Sequence, residues 1–453
     1  MIKNYFKIAF RNLWRSKGYS AINIGGLAVG MAVATLIGLW VYDELTFDKY
    51  HQHYGRIAQV MQHANFNGKV ETQVSNPAVM GPELRSKYGS NFKYVVQSSW
   101  TGSHLLTVGD KNFTKTGNYF EPDAPEMLTL KMLKGTRAGL KDPYSIMLSE
   151  SAAQAVFGKE DPINKVIKFD RILDVKVTGV YEDLPDNTSF REIKIMMPWD
   201  LWLVQNPWAK QIEEPWGSNF SQTFVQIADN ADMAKVSAKI RNAKLNNVSK
   251  EETKYQWVVF LQPMSKWNLN NQFKNGVNTG GNIQYVWMFG IIGIFVLMLA
   301  CINFMNLATA RSEKRAKEVG IRKTLGSLRW QLVNQFFAES YVVVVLSFVL
   351  SLLLVALLLP LFNDIAGKKI EIAWASPLFW LFSLVFILIT GLLSGSYPAL
   401  YLSSFQPLKV LKGTFRVGRF ASVPRKILVV MQFTVSIMLI IGTIIVYHQI
   451  QFA

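Results

Sequence analysis

Cysteine is nearly absent from this chain of 453 residues, which contains only Cys301. A single thiol cannot form a disulfide within the chain, and nothing near it in sequence offers a second ligand for a metal or a redox pair. Cys301 also lies inside a long apolar stretch. The stability of the folded chain must therefore come from the packing of its side chains.

Sequence signatures of nucleotide binding and catalysis are also missing. Gly320 and Gly326 lie close together, but the Lys followed by Ser or Thr that completes a phosphate-binding loop is absent. Ser149 is not embedded in a Gly-x-Ser-x-Gly elbow, which argues against a hydrolase nucleophile. We therefore expect no catalytic residue and no cofactor in this chain. If ATP powers its function, a separate subunit must bind it.

A small group of acidic and histidine residues is a candidate for a metal site. Glu44, Asp48 and His51 are spaced by four and three and would share one face of a helix. His53 and His63 follow closely. Carboxylates and imidazoles are common metal ligands. A solvated helix face explains the same spacing more simply, so we predict no metal site.

Five apolar windows are long enough to cross a membrane, since a helical span needs about 20 apolar residues. They lie at residues 19–43, 284–308, 336–362, 377–401 and 427–449. The first two enclose residues 44–283, a polar stretch long enough for a globular domain. We predict a membrane protein with an α-helical transmembrane bundle of five spans and a large α+β domain outside the membrane.

Basic residues are concentrated in three segments between the apolar windows, at 1–18, 309–331 and 402–426. Together these segments carry 18 basic and two acidic side chains, which accounts for +16 of the formal net charge of +17. Short loops rich in Lys and Arg stay in the cytoplasm. We therefore expect the N-terminus inside and residues 44–283 outside. The basic balance reflects topology and contact with membrane lipids rather than binding of nucleic acid.

Residues 1–18 are predicted to form an amphipathic helix in the inner membrane interface. Apolar residues recur there at helical spacing, while Lys3, Lys7, Arg11 and Arg15 step by four along another face. A cleavable signal peptide is the competing interpretation. The apolar run that follows is too long for a signal peptide, so we favour an uncleaved anchor.

Small residues at intervals of four predict close helix packing within the spans. They are Gly26, Gly30, Ala34 and Gly38 in the first window, and Gly391 and Gly395 in the fourth. No carboxylate or histidine relay lies within the windows, which argues against an ion-coupled transporter. Glu339, near the start of the third window, is expected to pair with a neighbouring Arg or Lys.

The domain outside the membrane shows both helix and strand signals. Ser149 can cap a short helix that Gly158 closes. Alternating apolar residues predict strands that begin near Val166 and Val175. Residues 184–188, Leu-Pro-Asp-Asn-Thr, form a turn cluster. These features describe a scaffold rather than a catalytic site.

A basic segment, residues 311–330, lies in the loop between the second and third spans. Glu318 can pair there with a basic neighbour at helical spacing. A helix lying on anionic lipid would explain the charge. It would not explain the apolar side that Val319, Ile321 and Leu325 add, which suits insertion into a protein groove.

Residues 315–326, Arg-Ala-Lys-Glu-Val-Gly-Ile-Arg-Lys-Thr-Leu-Gly, resemble the cytoplasmic signature of the FtsX/MacB-like permeases of ABC transporters. Other stretches agree in the same order. Residues 9–18 resemble the entry to the family's first span, 148–180 its MacB-type extracytoplasmic domain, and 395–413 the end of its fourth span. The resemblance therefore covers nearly the whole chain.

The resemblance implies a permease subunit in a bacterial inner membrane, without ATPase activity of its own. Residues 44–283 would form a periplasmic MacB-like domain and residues 284–413 an FtsX-like permease domain, with a cytoplasmic linker at 402–426. The loop 309–335 would dock on a partner ATPase through Arg315, Glu318, Gly320, Ile321, Arg322, Lys323, Leu325 and Gly326. In this family, ATP-driven dimerisation of the ATPase moves the spans and reshapes the outside domain. The cargo would be a lipid, lipoprotein, peptide or drug.

Arg425 and Lys426, followed by the fifth window, resemble the opening of a second repeat, as in duplicated family members of the eight-span type. We therefore expect a piece of a duplicated permease, which would pair with a second permease half or a second copy of itself. Two other classes stay open. One is a membrane-anchored sensor or regulator without transport activity, and the other is an anchored enzyme, for which no catalytic set is evident.

Overall fold

The computed structural model describes residues 10–310, 319–404 and 419–452. The chain forms two compact units that meet in sequence at Tyr42/Asp43 and Val286/Trp287. We call residues 43–286 the sheet unit. The segments on either side form the helical unit.

The α-helices are α1 (Lys17–Leu45), α2 (Met80–Tyr88), α3 (Ala124–Met127), α4 (Glu150–Phe157), α5 (Trp199–Gln205), α6 (Met233–Lys239), α7 (Ile283–Ala310), α8 (Arg329–Ala366), α9 (Pro377–Ser403) and α10 (Arg419–Phe452). Residues 10–15 and 319–324 are also helical. The strands are β1 (Ile57–Phe66), β2 (Lys69–Gln73), β3 (Phe92–Ser98), β4 (Gly102–Val108), β5 (Lys111–Phe120), β6 (Met132–Gly135), β7 (Ser145–Ser149), β8 (Val166–Phe169), β9 (Leu173–Tyr181), β10 (Ile195–Pro198), β11 (Gln222–Ile227), β12 (Val258–Pro263), β13 (Gln272–Lys274) and β14 (Val277–Gly280).

Four helices, α1, α7, α8 and α9, are long and apolar enough to cross a membrane, and they match four of the five predicted spans. The longest, α8, has 38 residues. At 1.5 Å per residue it is about 57 Å long, well beyond the roughly 30 Å of the hydrocarbon core. The fifth predicted span lies in α10, whose apolar part Val429–Ile445 is shorter than the other four. That α10 crosses the membrane stays a prediction.

Apolar side chains hold α1, α7 and α8 together. Leu27 and Met31 of α1 pack with Cys301 and Phe304 of α7 and with Val344 of α8, all nearly fully buried. Many Leu, Ile and Phe side chains of α7, α8 and α9 point outward instead. Water would solvate such a surface poorly, whereas lipid tails solvate it well. The exposure pattern therefore fits a membrane bundle.

The sheet unit contains a sheet that closes partly on itself. The strands follow the order β10-β7-β9-β8-β4-β5, and β5 also pairs with β10, so that six strands form a ring. Closure brings Ile195 of β10 against Gly117 of β5. A Cβ at position 117 would lie 2.2 Å from the Ile195 carbonyl oxygen, so only glycine permits this approach. Apolar side chains, among them Leu106, Ile146 and Phe169, fill the ring.

From β5 the sheet continues through β3, β11 and β1 to β12. Helices α2 and α6 pack on this part of the sheet. Met80 and Leu84 of α2 and Val236 of α6 form one buried cluster with Val60 and Val225 of the strands. The sheet unit is therefore an α+β domain, as predicted.

Helix α4 is bounded as predicted. The Ser149 Oγ accepts a hydrogen bond from the Ala152 backbone N–H at 3.3 Å. Gly158 ends the helix with a φ of +62°, a conformation that glycine adopts without strain. The strands predicted near Val166 and Val175 are β8 and β9. These local predictions are confirmed.

Candidate functional site

The segment 319–326, predicted to contact an ATPase, packs one side against helices α8 and α9. Val319 is 2% exposed and belongs to an apolar cluster at the ends of α8 and α9 with Leu332, Phe336, Ala399 and Leu402. Gly320 is also buried. The prediction that Val319 shares an apolar side with Ile321 and Leu325 is wrong, because those two side chains point away from the cluster and are exposed.

The two basic residues of this segment reach toward the helices. Arg322 donates a hydrogen bond to the side-chain oxygen of Gln335 on α8. Lys323 Nζ donates to the carbonyl oxygen of Ser403, the last residue of α9, at 2.7 Å. Loss of hydration and the nearby Arg329 lower the pKa of Lys323. These bonds fasten the segment to two helices of the bundle.

Apolar side chains form the outer side of the segment and continue beyond it. The exposed fractions are 50% for Ile321, 81% for Leu325, 56% for Leu328 and 55% for Trp330. We call these four residues the outer apolar face. Gly326 turns the chain between them with a φ of +92°. The segment therefore has an inner side that is bonded to the helices and an outer side of exposed apolar residues.

Two of the predicted contact residues, Arg315 and Glu318, lie outside the described residues. Their roles stay predictions. The structure does place Gly320, Arg322 and Lys323 on the inner side of the segment, and Ile321 and Leu325 on the outer side.

A chain of polar side chains leads from the segment into the bundle. Gln335, which accepts from Arg322, donates from Nε2 to Glu339 Oε1 at 3.1 Å. Asn12 Nδ2, on the helical stretch 10–15, donates to the same oxygen at 3.1 Å. Gln335 is 4% exposed, and hydrogen bonds to charged groups are strong away from water. The pairing of Glu339 with an Arg or Lys stays a prediction.

Two of the predicted packing glycines lie at close helix contacts. A Cβ at Gly30 of α1 would lie 2.3 Å from the Ala300 Cβ of α7. A Cβ at Gly391 of α9 would lie 2.1 Å from Cε1 of Tyr341 on α8. Real carbon atoms do not approach so closely, so a side chain at either position would force the helices apart.

The other small residues are less confined. A Cβ at Gly26 would lie 3.4 Å from a side-chain atom of α7, and one at Gly395 would lie 3.1 Å from Phe337 on α8. Gly38 faces open space, and Ala34 is half-buried. Close approach is therefore concentrated at Gly30 and Gly391.

The predicted helix face that would align Glu44, Asp48 and His51 is wrong. Helix α1 ends at Leu45, and Asp48 has a left-handed φ of +63°, so the helix does not continue. Across residues 10–310, 319–404 and 419–452, no three His, Cys, Asp or Glu side chains are placed to hold a metal ion.

Asp48 and His51 instead bind the predicted turn cluster through Thr188. His51 Nε2 lies 3.0 Å from Thr188 Oγ1, which donates to Asp48 Oδ1 at 2.7 Å. His51 Nδ1 lies 3.0 Å from the Leu128 carbonyl oxygen and must carry a hydrogen, since a carbonyl only accepts. Burial lowers the pKa of His51, and the Leu128 bond and Asp48 oppose this shift. The cluster joins residues 48–51 to the turn at residues 184–188 within the sheet unit.

Lys244 is a buried cation that no sequence pattern marked. Its Nζ donates to Gln62 Oε1 at 3.1 Å and to Asn219 Oδ1 at 2.8 Å, and it lies over the ring of Trp257. Loss of hydration lowers the pKa of Lys244 to about 7, and Glu252 opposes the shift. Its partners come from strands and loops that are distant in sequence, so sequence spacing could not reveal it.

Two family profiles match this chain. The profile described as MacB-like periplasmic core domain matches residues 20–243, and the profile described as FtsX-like permease C-terminal matches residues 290–407. The chain therefore belongs to the MacB/FtsX-like permeases of ABC transporters. It is a membrane protein with an extracytoplasmic domain.

Individual relatives agree with this family. The chain is 24% identical to the uncharacterized ABC transporter permease YknZ of Bacillus subtilis over 284 residues. The aligned residues are 62% of this chain and 62% of YknZ. The chain is also 23% identical to the macrolide export ATP-binding/permease protein MacB of Bdellovibrio bacteriovorus over 301 residues. The aligned residues are 65% of this chain and 41% of MacB. The matched part is thus less than two thirds of the length of either relative.

Solved structures of two relatives also align with the chain. The periplasmic region of MacB from Actinobacillus actinomycetemcomitans aligns with a TM-score of 0.35 at 18% identity, covering 48% of this chain and 92% of that one. The extracellular domain of YknZ from Gram-positive bacteria aligns with a TM-score of 0.32 at 15% identity, covering 45% and 99%.

Proposed function

We propose that this chain couples ATP hydrolysis by a partner ATPase to a conformational change of its extracytoplasmic domain. The observation that carries the proposal is the two-sided structure of segment 319–326, with its cations bonded inward and the outer apolar face exposed. ATP would be bound by the partner, and this chain would need no cofactor of its own. The cargo would be a lipid, lipoprotein, peptide or drug.

The proposed orientation places segment 319–326 in the cytoplasm and residues 43–286 in the periplasm of a bacterial inner membrane. The concentration of Lys and Arg in the loops around residues 309–331 and 402–426 supports this orientation. A reporter inserted near residue 320 should be cytoplasmic, and one near residue 150 should be periplasmic. The reverse result would overturn the orientation.

The outer apolar face is the proposed contact with the ATPase. Leu325 is its most exposed member, at 81%, and burying a Leu side chain in a groove contributes about 1.5–3 kcal/mol. The inward bonds of Arg322 and Lys323 hold the face in position before the partner arrives. A preformed face loses less conformational entropy on binding.

The polar chain is the proposed path by which docking moves the helices. It runs from Arg322 through Gln335 and Glu339 to Asn12. A second bond runs from Lys323 to Ser403 at the end of α9. A displacement of the segment would therefore also displace α8, α9 and the helical stretch 10–15.

Co-purification tests the docking face. The intact chain, tagged and isolated from its native host in mild detergent, should bring an ABC ATPase with it. Leu325→Glu places a charge in the proposed groove and should reduce ATPase recovery at least tenfold. Leu133→Glu is the matched control, because Leu133 is an exposed leucine, at 45%, on the sheet unit.

Two outcomes would count against the proposal. Equal loss of the ATPase in both variants would show a general effect of the added charge. Failure of the unaltered chain to recover any ATPase would favour the alternative, a membrane-anchored sensor or regulator.

A further inference from the structure

The helical unit contains a cavity of about 70 Å³ between the helical stretch 10–15, α1 and the neighbouring ends of α7, α8 and α9. Apolar side chains such as Phe304 and Phe336 form part of its wall. Polar side chains form the rest, among them Ser16, Asn23 and Ser340. Such a mixed lining is unusual for packing between apolar helices, which normally leave no space or a dry one.

Asn23 is the residue that requires an explanation. It lies six residues into α1, about 9 Å along the helix, and is 3% exposed. Neither its Nδ2 nor its Oδ1 has a hydrogen-bond partner among the described residues. An amide buried without partners costs several kcal/mol in an apolar environment. The cavity beside it is therefore expected to hold a group that both donates and accepts.

A lipid tail cannot be that partner, because a hydrocarbon chain neither donates nor accepts a hydrogen bond. A buried water needs roughly 10–15 Å³ of such space and two to four polar partners. The cavity therefore has room for more than one water.

Neighbouring hydroxyl groups supply further partners. Ser16 Oγ donates to the Asn12 carbonyl at 2.9 Å, and Ser20 Oγ donates to the Leu13 carbonyl at 3.1 Å. Each hydroxyl oxygen keeps lone pairs that can accept from a water. Donors and acceptors for a small cluster of waters therefore surround the cavity.

We propose that this cavity is a water-binding site, in which ordered waters bridge the Asn23 amide of α1 to the polar side chains at the start of α8. Water would accept from Nδ2 and donate to Oδ1, which satisfies both atoms at once. The site borders Glu339 and Asn12, the last two members of the polar chain. If the proposed function holds, these waters allow α1 and α8 to exchange hydrogen bonds when the segment 319–326 moves.

Thiol labelling of the full chain in lipid nanodiscs tests the site without an ATPase. The background is Cys301→Ala, which removes the single native thiol. Ser340→Cys places a thiol on the cavity wall. Ser347→Cys is the control on the same helix, at a fully buried position where the native serine hydroxyl donates to the Ile24 carbonyl oxygen. The probe is methyl methanethiosulfonate, a small water-soluble reagent that reacts with the thiolate.

The expected result is that the Ser340→Cys thiol reacts at least tenfold faster than the Ser347→Cys thiol. Adding Asn23→Leu, which keeps nearly the same side-chain shape but removes the amide that would hold the waters, should remove most of that difference. If Ser340→Cys does not fold, Ser20→Cys reports on the same cavity from α1. Equal, slow reaction at the cavity and control positions would show a dry cavity and overturn the proposal. Because no ATPase takes part, that result would leave the docking proposal standing.

Discussion

The Lys244 ammonium nitrogen lies 3.3 Å from the centre of the Trp257 ring. The ring face and two amide oxygens are the groups in contact with it, and the side chain is fully buried. Cation–π attraction stabilises the charged form by about 2 kcal/mol when the pair is desolvated. Loss of hydration acts in the opposite direction and is larger, because the pKa of Lys244 is lowered to about 7.

This burial predicts a pH-dependent stability of the extracytoplasmic domain. An unfolded Lys titrates near pH 10.4, so between about pH 7 and 10.4 the unfolded chain binds more protons than the folded one. The free energy of unfolding should therefore rise with pH across this window. Thermal unfolding measured from pH 7 to 9.5 should show a smaller rise for Lys244→Met than for the unaltered chain. The exposed Lys250→Met should keep the full rise.

Thr188→Val should destabilise the sheet unit. The substitution keeps the shape of the side chain but removes the hydroxyl that joins His51 to Asp48. Asp48 Oδ1 would lose the hydrogen bond that Thr188 donates, and His51 Nε2 would lose its polar neighbour. The cost of one unsatisfied buried group is about 1–3 kcal/mol. The melting temperature of the domain measures the loss. Thr188→Ser keeps the hydroxyl and should recover most of the stability, and equal melting of the two variants would show that the bridge contributes nothing.

Gly30→Ala should lower the stability of the helical unit, whereas Gly38→Ala should leave it unchanged or raise it. Alanine is a better helix former than glycine by about 1 kcal/mol, which favours both substitutions. At Gly30 the new methyl group meets the Ala300 Cβ, and overpacking costs about 1–3 kcal/mol. At Gly38 the methyl group meets open space. The yield of folded protein in detergent at rising temperature should fall for Gly30→Ala and hold or rise for Gly38→Ala.

Gln335→Leu should separate docking from coupling. The leucine is close in size but cannot accept from Arg322 or donate to Glu339, so the polar chain is broken while the outer apolar face is untouched. The partner ATPase should still co-purify at near-normal yield. Growth under a condition that requires the transporter should be lost, as with Leu325→Glu. If Gln335→Leu released the ATPase as well, the residue would serve docking rather than coupling.

The spans and the local boundaries of the sheet unit could be predicted because each depends on residues that are near in sequence. Four spans follow from apolar length, and Ser149 and Gly158 bound α4 by capping rules that act within a few residues. The twelve-stranded sheet could not be derived in this way. Its order depends on which strands meet across long stretches of chain, and alternation of apolar residues carries no such information.

The candidate site shows the same division. Composition indicated a basic, apolar segment, but it could not tell which side chains point inward. Val319 packs against α8 and α9 only because the ends of those helices meet there, and Arg322 finds Gln335 thirteen residues further on. The error at Asp48 has a local cause, since helix α1 ends at Leu45 and Asp48 has a left-handed backbone conformation, whereas the spacing argument depended on a helix that reaches His51.

The ring of six strands has a consequence for how the domain is made. Gly117 and Ile195 become neighbours although they are 78 residues apart in the chain, and β10 is the last strand of the ring to leave the ribosome. Contacts so distant in sequence form slowly, because the entropy cost of closing a long loop precedes the stabilisation that the contacts provide. Until then β5 and β7 each present an unpaired edge, which another strand could occupy. We therefore expect closure at Gly117 to be a late step in folding, and the point at which a newly translocated domain is most prone to misassembly.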